Sequence, residues 1–430
     1  MGYLWLYGAV FAVVLVAYLR RQSRRQRENV AALQQSVEAG MVEPASLHPV
    51  IDPARCIGSG SCVKACPEQA IGIVDGKAVL TNASACIGHG ACLAACPVEG
   101  IELVFGTERR GVEIPHVSPD FETNVPGIFI AGELGGMGLI RKAAEQGRQA
   151  IGAIRQRRGG QHDFDVVIVG CGPAGLSAGL AAIQHGLRYK LLEQETSLGG
   201  AVFHYPRNKI AMTAPVELAL VGKVKFGEVQ KEELLEFWNS TVQQTGLKIS
   251  FRQQLAGIDA RDNGFVVHTS SGERYTTRTV LLTMGRRGTP RKLEVPGEES
   301  SKVVYRLIDA AQYRGQAVLV VGGGDSAVEA AVALSQETGT QVTLSYRGEA
   351  FSRIKAKNRM LLDQQQAAGR LQVLLGSVVK SIEAGSVRIE HAGRERNLRN
   401  EAVIVCAGGQ LPTELLRKVG IRFDTKFGTA

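Results

Sequence analysis

The sequence predicts an α/β chain with two Rossmann-like domains, a small α+β domain and one N-terminal transmembrane helix. Three observations lead to this architecture. An apolar strand followed by a glycine-rich turn and a helix occurs twice, six of the eight cysteines lie within residues 56–96, and residues 2–19 carry no charge. A chain of 430 residues also exceeds one ordinary domain, so several units are expected.

The first element is the apolar segment of residues 2–19, within a predicted anchor unit of residues 1–20. As a helix it would be about 27 Å long, close to the hydrocarbon thickness of a bilayer. A basic helix and linker follow over residues 21–50. The positive-inside rule then predicts a single-pass inner-membrane protein with its N-terminus outside and its body cytoplasmic; a buried or interfacial helix is the alternative. The basic run consists of Arg20, Arg21, Arg24, Arg25 and Arg27.

The same run supplies five of the nine net positive charges, so the basic balance is largely a local feature. A charge excess of this kind gives no indication of a nucleic-acid partner, and none is expected.

The second element is an internal repeat of cysteines. Clustered cysteines in a large chain with a cytoplasmic body favour metal binding over a disulfide framework. Cys171 and Cys406 lie outside the repeat, and each is predicted to be a small buried apolar residue. The two runs that align without gaps are CIGSGSCVKACP from Cys56 and CIGHGACLAACP from Cys86.

The repeat resembles the bacterial two-cluster ferredoxin run C-x2-C-x2-C-x3-C-P, over residues 51–105. Two positions depart from it, because Ser59 and His89 replace the second cysteine of each run. The resemblance implies one cluster on Cys56, Cys62 and Cys96 beside Ser59, and another on Cys66, Cys86 and Cys92 beside His89.

Each such site would hold a three-iron (3Fe-4S) cluster, or a four-iron (4Fe-4S) cluster whose last iron takes imidazole, hydroxyl, water or substrate. The alternative is a vestigial fold without clusters, against which the six retained cysteines argue.

The third element is the first glycine-rich turn, which follows the strand of residues 165–169 and opens a helix. An acid, Glu193, ends the next strand. A strand, a glycine-rich turn, a helix and an acid in this order form the dinucleotide-binding fingerprint. In it the pyrophosphate binds at the helix N-terminus, and the acid binds the ribose. We expect a dinucleotide here, which the family resemblance given below implies to be FAD, bound through Gly170, Gly172, Pro173, Ala174, Gly175 and Glu193.

A second copy of the turn follows the strand of residues 317–321. The next strand ends without an acid, and Arg347 and Arg353 follow it. Arginine at this place suits the 2′-phosphate of NADPH, so NADH is the less favoured coenzyme; two ordinary surface arginines are the alternative. The turn residues expected to bind the coenzyme are Gly322, Gly324, Asp325, Ser326 and Ala327.

Both turns together resemble the low-molecular-weight thioredoxin reductase family over residues 163–430. The family's last FAD motif is missing from the C-terminus and occurs upstream, at Gly132 and Glu133, where glutamate replaces the usual aspartate. This implies a circular permutation in which the C-terminus ends near residues 106–120. The predicted units are a permuted FAD segment (106–160), the FAD domain (163–285), the NAD(P)H domain (286–402) and a return to the FAD domain (403–430).

The family's C-x-x-C pair is also absent, so the flavin's electrons need another exit, and the ferredoxin-like unit provides one. The expectation is a membrane-anchored NAD(P)H-dependent oxidoreductase that passes electrons through FAD and two iron–sulfur clusters to an acceptor. No catalytic acid or base is named. Expected partners are the membrane and a redox protein or quinone, and a homodimer is left open. Two rivals stay open: a disulfide or heterodisulfide reductase, and a non-catalytic redox sensor or assembly factor.

Overall fold

The chain opens with one continuous helix, α1 (Gly2–Glu38), which has 37 residues. Its large apolar side chains from Tyr7 to Leu19 are exposed. Among the side chains that the structure describes, which begin at Tyr7, no helix is both long and apolar enough to cross a membrane; residues 2–6 of the expected span lie outside them. The computed structural model describes residues 2–428 apart from 39–42, 45–46, 89, 109, 137, 158–161, 206, 208, 214, 262, 287, 353 and 411.

The second half of α1 packs on a cysteine-rich unit. Gln26 Nε2 donates to Asp75 Oδ1 at 3.0 Å, and Asn29 Nδ2 donates to the Ile73 carbonyl at 2.9 Å. Near the end of the helix, Ser36 Oγ donates to the Thr81 carbonyl at 2.9 Å. The basic run is therefore part of α1, and the helix from Gln26 to Ser36 lies along one β-hairpin.

The cysteine-rich unit has two antiparallel strand pairs and two short helices. The first and last strands pair with His48 opposite Val104, so the unit begins before the predicted residue 51. The middle strands form a hairpin that turns at Asp75 and Gly76. The elements are β1 (His48–Ile51), α2 (Ser61–Ala65), β2 (Ile71–Val74), β3 (Lys77–Leu80), α3 (Ala91–Ala94) and β4 (Ile101–Val104).

Two strands and a helix after this unit join the first Rossmann-like domain. Of these, β6 pairs in parallel with β16 at the carboxyl edge of the main sheet, which places the permuted segment inside this domain. The main sheet has the order β13-β8-β7-β16-β15-β14. The bounds are β5 (Val112–Pro115), β6 (Ile128–Ile130), α4 (Ile140–Ile154), β7 (Phe164–Val169), α5 (Pro173–Gln184), β8 (Tyr189–Leu192), β9 (Ile210–Met212), β10 (Val216–Leu218), β11 (Gly222–Val224), β12 (Glu228–Gln230), α6 (Lys231–Thr245), β13 (Ile249–Ser250), β14 (Leu255–Arg261), β15 (Gly264–Thr269) and β16 (Arg274–Leu282).

The second Rossmann-like domain has a parallel sheet of order β18-β25-β19-β20-β21. Because β25 pairs with β18 on one side and β19 on the other, it lies inside this sheet, and the predicted return at residue 403 comes too early. Its bounds are β17 (Thr289–Pro290), β18 (Val303–Val304), β19 (Ala317–Val321), α7 (Asp325–Ser335), β20 (Gln341–Tyr346), α8 (Ala356–Ala367), β21 (Leu371–Leu375), β22 (Ser377–Ile382), β23 (Ser386–His391), β24 (Arg394–Arg399), β25 (Ala402–Val405) and β26 (Gly409–Gln410). Two further elements, α9 (Thr413–Lys418) and β27 (Phe423–Lys426), follow them.

The C-terminal strand returns to the first domain and meets the start of the permuted segment. β27 pairs antiparallel with β5, and the Gly428 amide donates to the Phe105 carbonyl at 2.9 Å. Leu416 and Ile421 are buried against Ile128 and Ile130. This is the placement of the C-terminus that the circular permutation predicts.

Candidate functional site

The first glycine-rich turn has the geometry of a phosphate-binding loop between β7 and α5. Gly170 has φ +103°, and a Cβ there would lie 2.8 Å from the Thr283 carbonyl oxygen. A Cβ at Gly175 would lie 1.8 Å from the Gly170 carbonyl oxygen, so only glycine allows this approach. Gly172 differs, because a Cβ there would have no neighbour closer than 3.9 Å and would face an open cleft.

Glu193 closes the same turn from the end of β8. Its carboxylate accepts hydrogen bonds from the Cys171 amide at 2.7 Å and the Glu195 amide at 3.0 Å. Burial raises the pKa of Glu193, and these two hydrogen bonds oppose that effect. The carboxylate is thus fixed at the edge of the cleft, where a ribose hydroxyl could donate to it.

The permuted segment packs directly against this turn. Gly132 has φ +84°, and its amide donates to Gln146 Oε1 at 2.8 Å. A Cβ at Gly147 would lie 2.0 Å from the Ala174 carbonyl oxygen, so α4 and α5 cross in close contact. Glu133 lines the cleft beside the N-terminal end of α4.

Arg286 is a charged neighbour of Glu133 that the sequence did not indicate. One of its guanidinium nitrogens donates to the Glu113 carbonyl at 2.8 Å. Burial lowers the pKa of Arg286, while the charges of Glu133 and Glu113 oppose this shift. Only the fold brings Arg286 to the permuted segment, because the two are more than a hundred residues apart in the chain.

The second glycine-rich turn, between β19 and α7, repeats the pattern. A Cβ at Gly322 would lie 2.3 Å from the Cys406 carbonyl oxygen, whereas one at Gly324 would meet nothing within 4 Å. Asp325 Oδ1 accepts from the Lys355 amide at 2.8 Å and from Asn358 Nδ2 at 2.7 Å. This network fixes the start of α7 against α8.

Basic side chains line the cleft beside this turn. Arg347 follows β20 and is exposed, and Lys355 and Lys357 line the same cleft. Arg353, the second predicted arginine, lies outside the described residues. The cleft is continuous past both turns, so two bound dinucleotides would share it.

The cysteines separate into the two groups that the ferredoxin resemblance implies. Site one is a small cavity lined by Cys56, Cys62, Cys96 and Ser59. Cys56 Sγ accepts from the Ala78 amide at 3.4 Å, and Cys96 Sγ accepts from the Gly100 amide at 3.3 Å. Hydrogen bonds to the cysteine sulfurs are also one of the features by which proteins tune bound iron–sulfur clusters.

Site two comprises Cys66, Cys86 and Cys92. Cys66 Sγ accepts from the Ala70 amide at 3.4 Å, which repeats the Cys96 contact of site one. Burial, followed by the charges of Cys86 and Cys66, raises the pKa of Cys92 to about 11. His89 lies outside the described residues, so its predicted place beside site two stays a prediction.

These groups suit clusters better than single ions. Within the described part of the chain, no three His, Cys, Asp or Glu side chains converge closely enough for one metal ion. A cluster of several irons and sulfides is wider than one ion, so its thiolates stand farther apart. Bound iron would also deprotonate thiols that burial otherwise keeps protonated.

The two sites lie at opposite ends of the cysteine-rich unit. Site one adjoins the end where Ile51 pairs with Ile101. Site two adjoins the other end, because a Cβ at Gly88 would lie 2.7 Å from the Leu47 carbonyl oxygen. Phe105 follows β4 at that end, and its ring would lie 2.8 Å from a Cβ at Gly136, in the permuted segment. Site two therefore faces the first Rossmann-like domain.

Comparison with protein families gives two matches. Residues 167–428 match the model described as pyridine nucleotide-disulphide oxidoreductase, and residues 48–97 match the 4Fe-4S dicluster domain. The two matches divide the chain where the cysteine repeat and the first glycine-rich turn divide it.

Several curated proteins are similar. A ferredoxin–NADP reductase from Thermus thermophilus is 30% identical over 285 residues, covering 62% of this chain and 81% of that protein. A ferredoxin–NADP reductase 3 from Lysinibacillus sphaericus is 32% identical over 209 residues, covering 47% of this chain and 56% of its own length. A bacilliredoxin reductase from Bacillus subtilis is 26% identical over 271 residues, covering 61% of this chain and 82% of that protein.

Among solved structures, the bacillithiol disulfide reductase from Staphylococcus aureus has a similar fold. Its TM-score is 0.54 at 24% identity, covering 61% of this chain and 81% of that chain. The match supports the arrangement of the two Rossmann-like domains.

Proposed function

Because residues 167–428 belong to the pyridine nucleotide-disulphide oxidoreductase family, and a 4Fe-4S dicluster domain precedes them, we propose that the chain transfers electrons from NADPH to a one-electron acceptor. The chain is an oxidoreductase with FAD and NADP sites and an iron–sulfur domain. When bound, FAD takes the two electrons of a hydride, and iron–sulfur clusters carry electrons singly.

The observation that carries this proposal is the position of site two. It faces the permuted segment through Phe105 and Gly136, so the iron–sulfur domain adjoins the FAD domain at the end that carries site two. The second Rossmann-like domain lacks a C-x-x-C pair. Its sequence therefore offers no dithiol that could accept the electrons of the flavin. The proteins named ferredoxin–NADP reductase among the relatives favour a small iron–sulfur protein as acceptor; a quinone is the alternative.

The residues have separate tasks in this proposal. The backbone of the two glycine-rich turns binds the pyrophosphates, and Glu193 holds the FAD ribose. Glu133 and the N-terminal end of α4 face the flavin, where the helix dipole stabilises negative charge. Ser59 lies beside site one, and His89 is predicted to lie beside site two.

A direct test is to follow the clusters by EPR after adding NADPH to the anaerobic protein. Reduction of FAD and the appearance of reduced-cluster signals are expected in the same sample. If FAD bleaches and the clusters stay oxidised, the proposed route is wrong. If NADPH oxidation is negligible with every acceptor, a redox sensor or assembly factor becomes the better interpretation.

A second candidate is reduction of a disulfide, which the similarity to a bacilliredoxin reductase favours. In that case an open cluster corner would bind the sulfur substrate. Disulfide reduction that disappears on replacing Ser59 or His89, while FAD still bleaches with NADPH, would favour this candidate.

Coenzyme choice gives a prediction for Arg347. Replacing Arg347 with alanine should weaken NADPH binding by about 10- to 150-fold, because a charge-assisted hydrogen bond is worth about 1.5–3 kcal/mol. NADH binding should change little, and the KM values for both coenzymes measure the difference. The control is Arg388→Ala, which breaks an exposed pair with Glu383 elsewhere in the same domain. Equal losses for both coenzymes would contradict a 2′-phosphate contact.

The membrane anchor is a further part of the proposal. The helix exposes apolar side chains between Tyr7 and Leu19, and arginines follow directly after it in the sequence. Deleting residues 2–19 should move essentially all of the protein from the membrane to the soluble fraction, because a spanning helix is a practically irreversible anchor. NADPH oxidation with a soluble dye should be unchanged.

The orientation of that anchor needs its own measurement. Protease added from the cytoplasmic side of vesicles should digest the body. Digestion only from the opposite side would contradict the positive-inside orientation, and a truncated protein that stays with the membrane would contradict the anchor.

A further inference from the structure

A carboxylate near site two has a role that the two family matches leave open. Glu68 follows Cys66 and Pro67, and its Oε1 is buried without a hydrogen bond from any residue that the structure describes. A buried carboxylate oxygen without a donor is unfavourable unless a cation is near it. A positive charge near Oε1 would therefore stabilise this carboxylate, and the described side chains do not supply one.

The internal repeat locates this carboxylate. Cys96-Pro97-Val98 is the counterpart of Cys66-Pro67-Glu68, and Val98 lines the site-one cavity together with Ser59. The backbone repeats as well, since the amides of Ala70 and Gly100 donate to the first cysteine of each triplet. Equivalent positions in the repeat place Glu68 on the lining of site two.

Electrostatics supports the same placement. The pKa of Cys86 is raised first by burial and then by the charges of Cys66 and Glu68, so the carboxylate lies near this thiol. A carboxylate beside the buried thiols of Cys86 and Cys92 is repulsive as long as no metal is bound. Iron reverses the interaction, because it accepts oxygen ligands together with sulfur.

We propose that Glu68 Oε1 is the protein ligand of a fourth iron at site two, in the place of the missing cysteine. Site one has Val98 at the equivalent position, and among the described residues that line its cavity the Ser59 hydroxyl is the only further side-chain ligand besides the three cysteines, so it holds a three-iron cluster. The two halves of the repeat thus carry different clusters. This inference rests on the proposed assignment of both iron–sulfur sites.

The test uses the full-length protein, purified without oxygen and oxidised, with no NADPH present. Iron and acid-labile sulfide are measured together with the EPR signal of three-iron clusters. Glu68→Gln should lose iron and raise the three-iron signal about two-fold, because both sites then lack a fourth ligand. Val98→Glu should gain iron and lose the signal. Glu99→Gln, which removes an exposed charge next to Val98, is the control and should match the unaltered protein.

Several outcomes would overturn the assignment. An unchanged iron content and signal in Glu68→Gln, with iron loss in His89→Ala, would make His89 the ligand. If the Glu68→Gln variant cannot be purified with FAD bound, the Val98→Glu variant becomes the deciding test. A three-iron signal that persists in Val98→Glu overturns the proposal. Unaltered protein without iron and sulfide would overturn both this proposal and the proposed function. A failure of NADPH to reduce the clusters would affect only the proposed function.

Discussion

Replacing Gly172 with valine should give a folded protein with its iron bound but without FAD. The backbone at this position is extended, with φ −80° and ψ −170°, so a side chain is tolerated. A Cβ would meet no atom closer than 3.9 Å and would project into the cleft, where the pyrophosphate must approach. The flavin absorbance of the purified protein should therefore fall to near zero, and NADPH should no longer reduce the clusters, although dithionite still does.

The matched control lies in the second turn. Gly324→Val places the same side chain at the equivalent, equally open position of the other dinucleotide site. This variant should keep its FAD and lose NADPH-dependent bleaching of the flavin. Loss of FAD from Gly324→Val, or its retention in Gly172→Val, would contradict the assignment of the two turns.

Removing one thiolate from either cluster site should separate the reduction of FAD by NADPH from the transfer of electrons to the acceptor. Cys62→Ala affects site one and Cys92→Ala affects site two, and neither residue belongs to a dinucleotide site. Both variants should still bleach FAD with NADPH at the normal rate. Electron transfer to a bacterial ferredoxin used as acceptor should fall by at least about 10- to 100-fold, the loss that follows from removing even an indirect partner of a metal ligand.

Stopped-flow absorbance measures the first half-reaction, and ferredoxin reduction under anaerobic conditions measures the second. Leu93→Ala is the control, because Leu93 is an exposed neighbour of Cys92 with no thiol to lose. Full transfer to the acceptor in both cysteine variants would show that the iron–sulfur domain takes no part in this route.

The sequence was sufficient for the features that depend on local patterns. Each glycine-rich turn, with its strand before it and its helix after it, could be predicted because the steric demand for glycine is local. The division of the cysteines into two groups followed from the ferredoxin resemblance. The permuted position of Gly132 and Glu133 could be predicted because the motif is short and keeps its residue order.

Features that depend on contacts between distant segments could not be predicted. The approach of Arg286 to Glu133 and the position of α1 along the hairpin arise only when separate elements pack together. The predicted boundary at residue 403 was wrong for the same reason. An apolar strand such as β25 would suit the sheet of either Rossmann-like domain, and only its pairing with β18 and β19 shows that it belongs to the second.

The pairing of β27 with β5 also bears on how the protein is made. The cysteine-rich unit leaves the ribosome early and contains all of its own strand pairs. The first Rossmann-like domain needs β5 and β27, which are about 300 residues apart, or roughly 15–60 s of synthesis. Its closure must therefore wait until β27 has been synthesised. Iron can be inserted into a nascent chain before that point, whereas the FAD domain closes only after it, so a chain interrupted before β27 would bind iron without consuming NADPH.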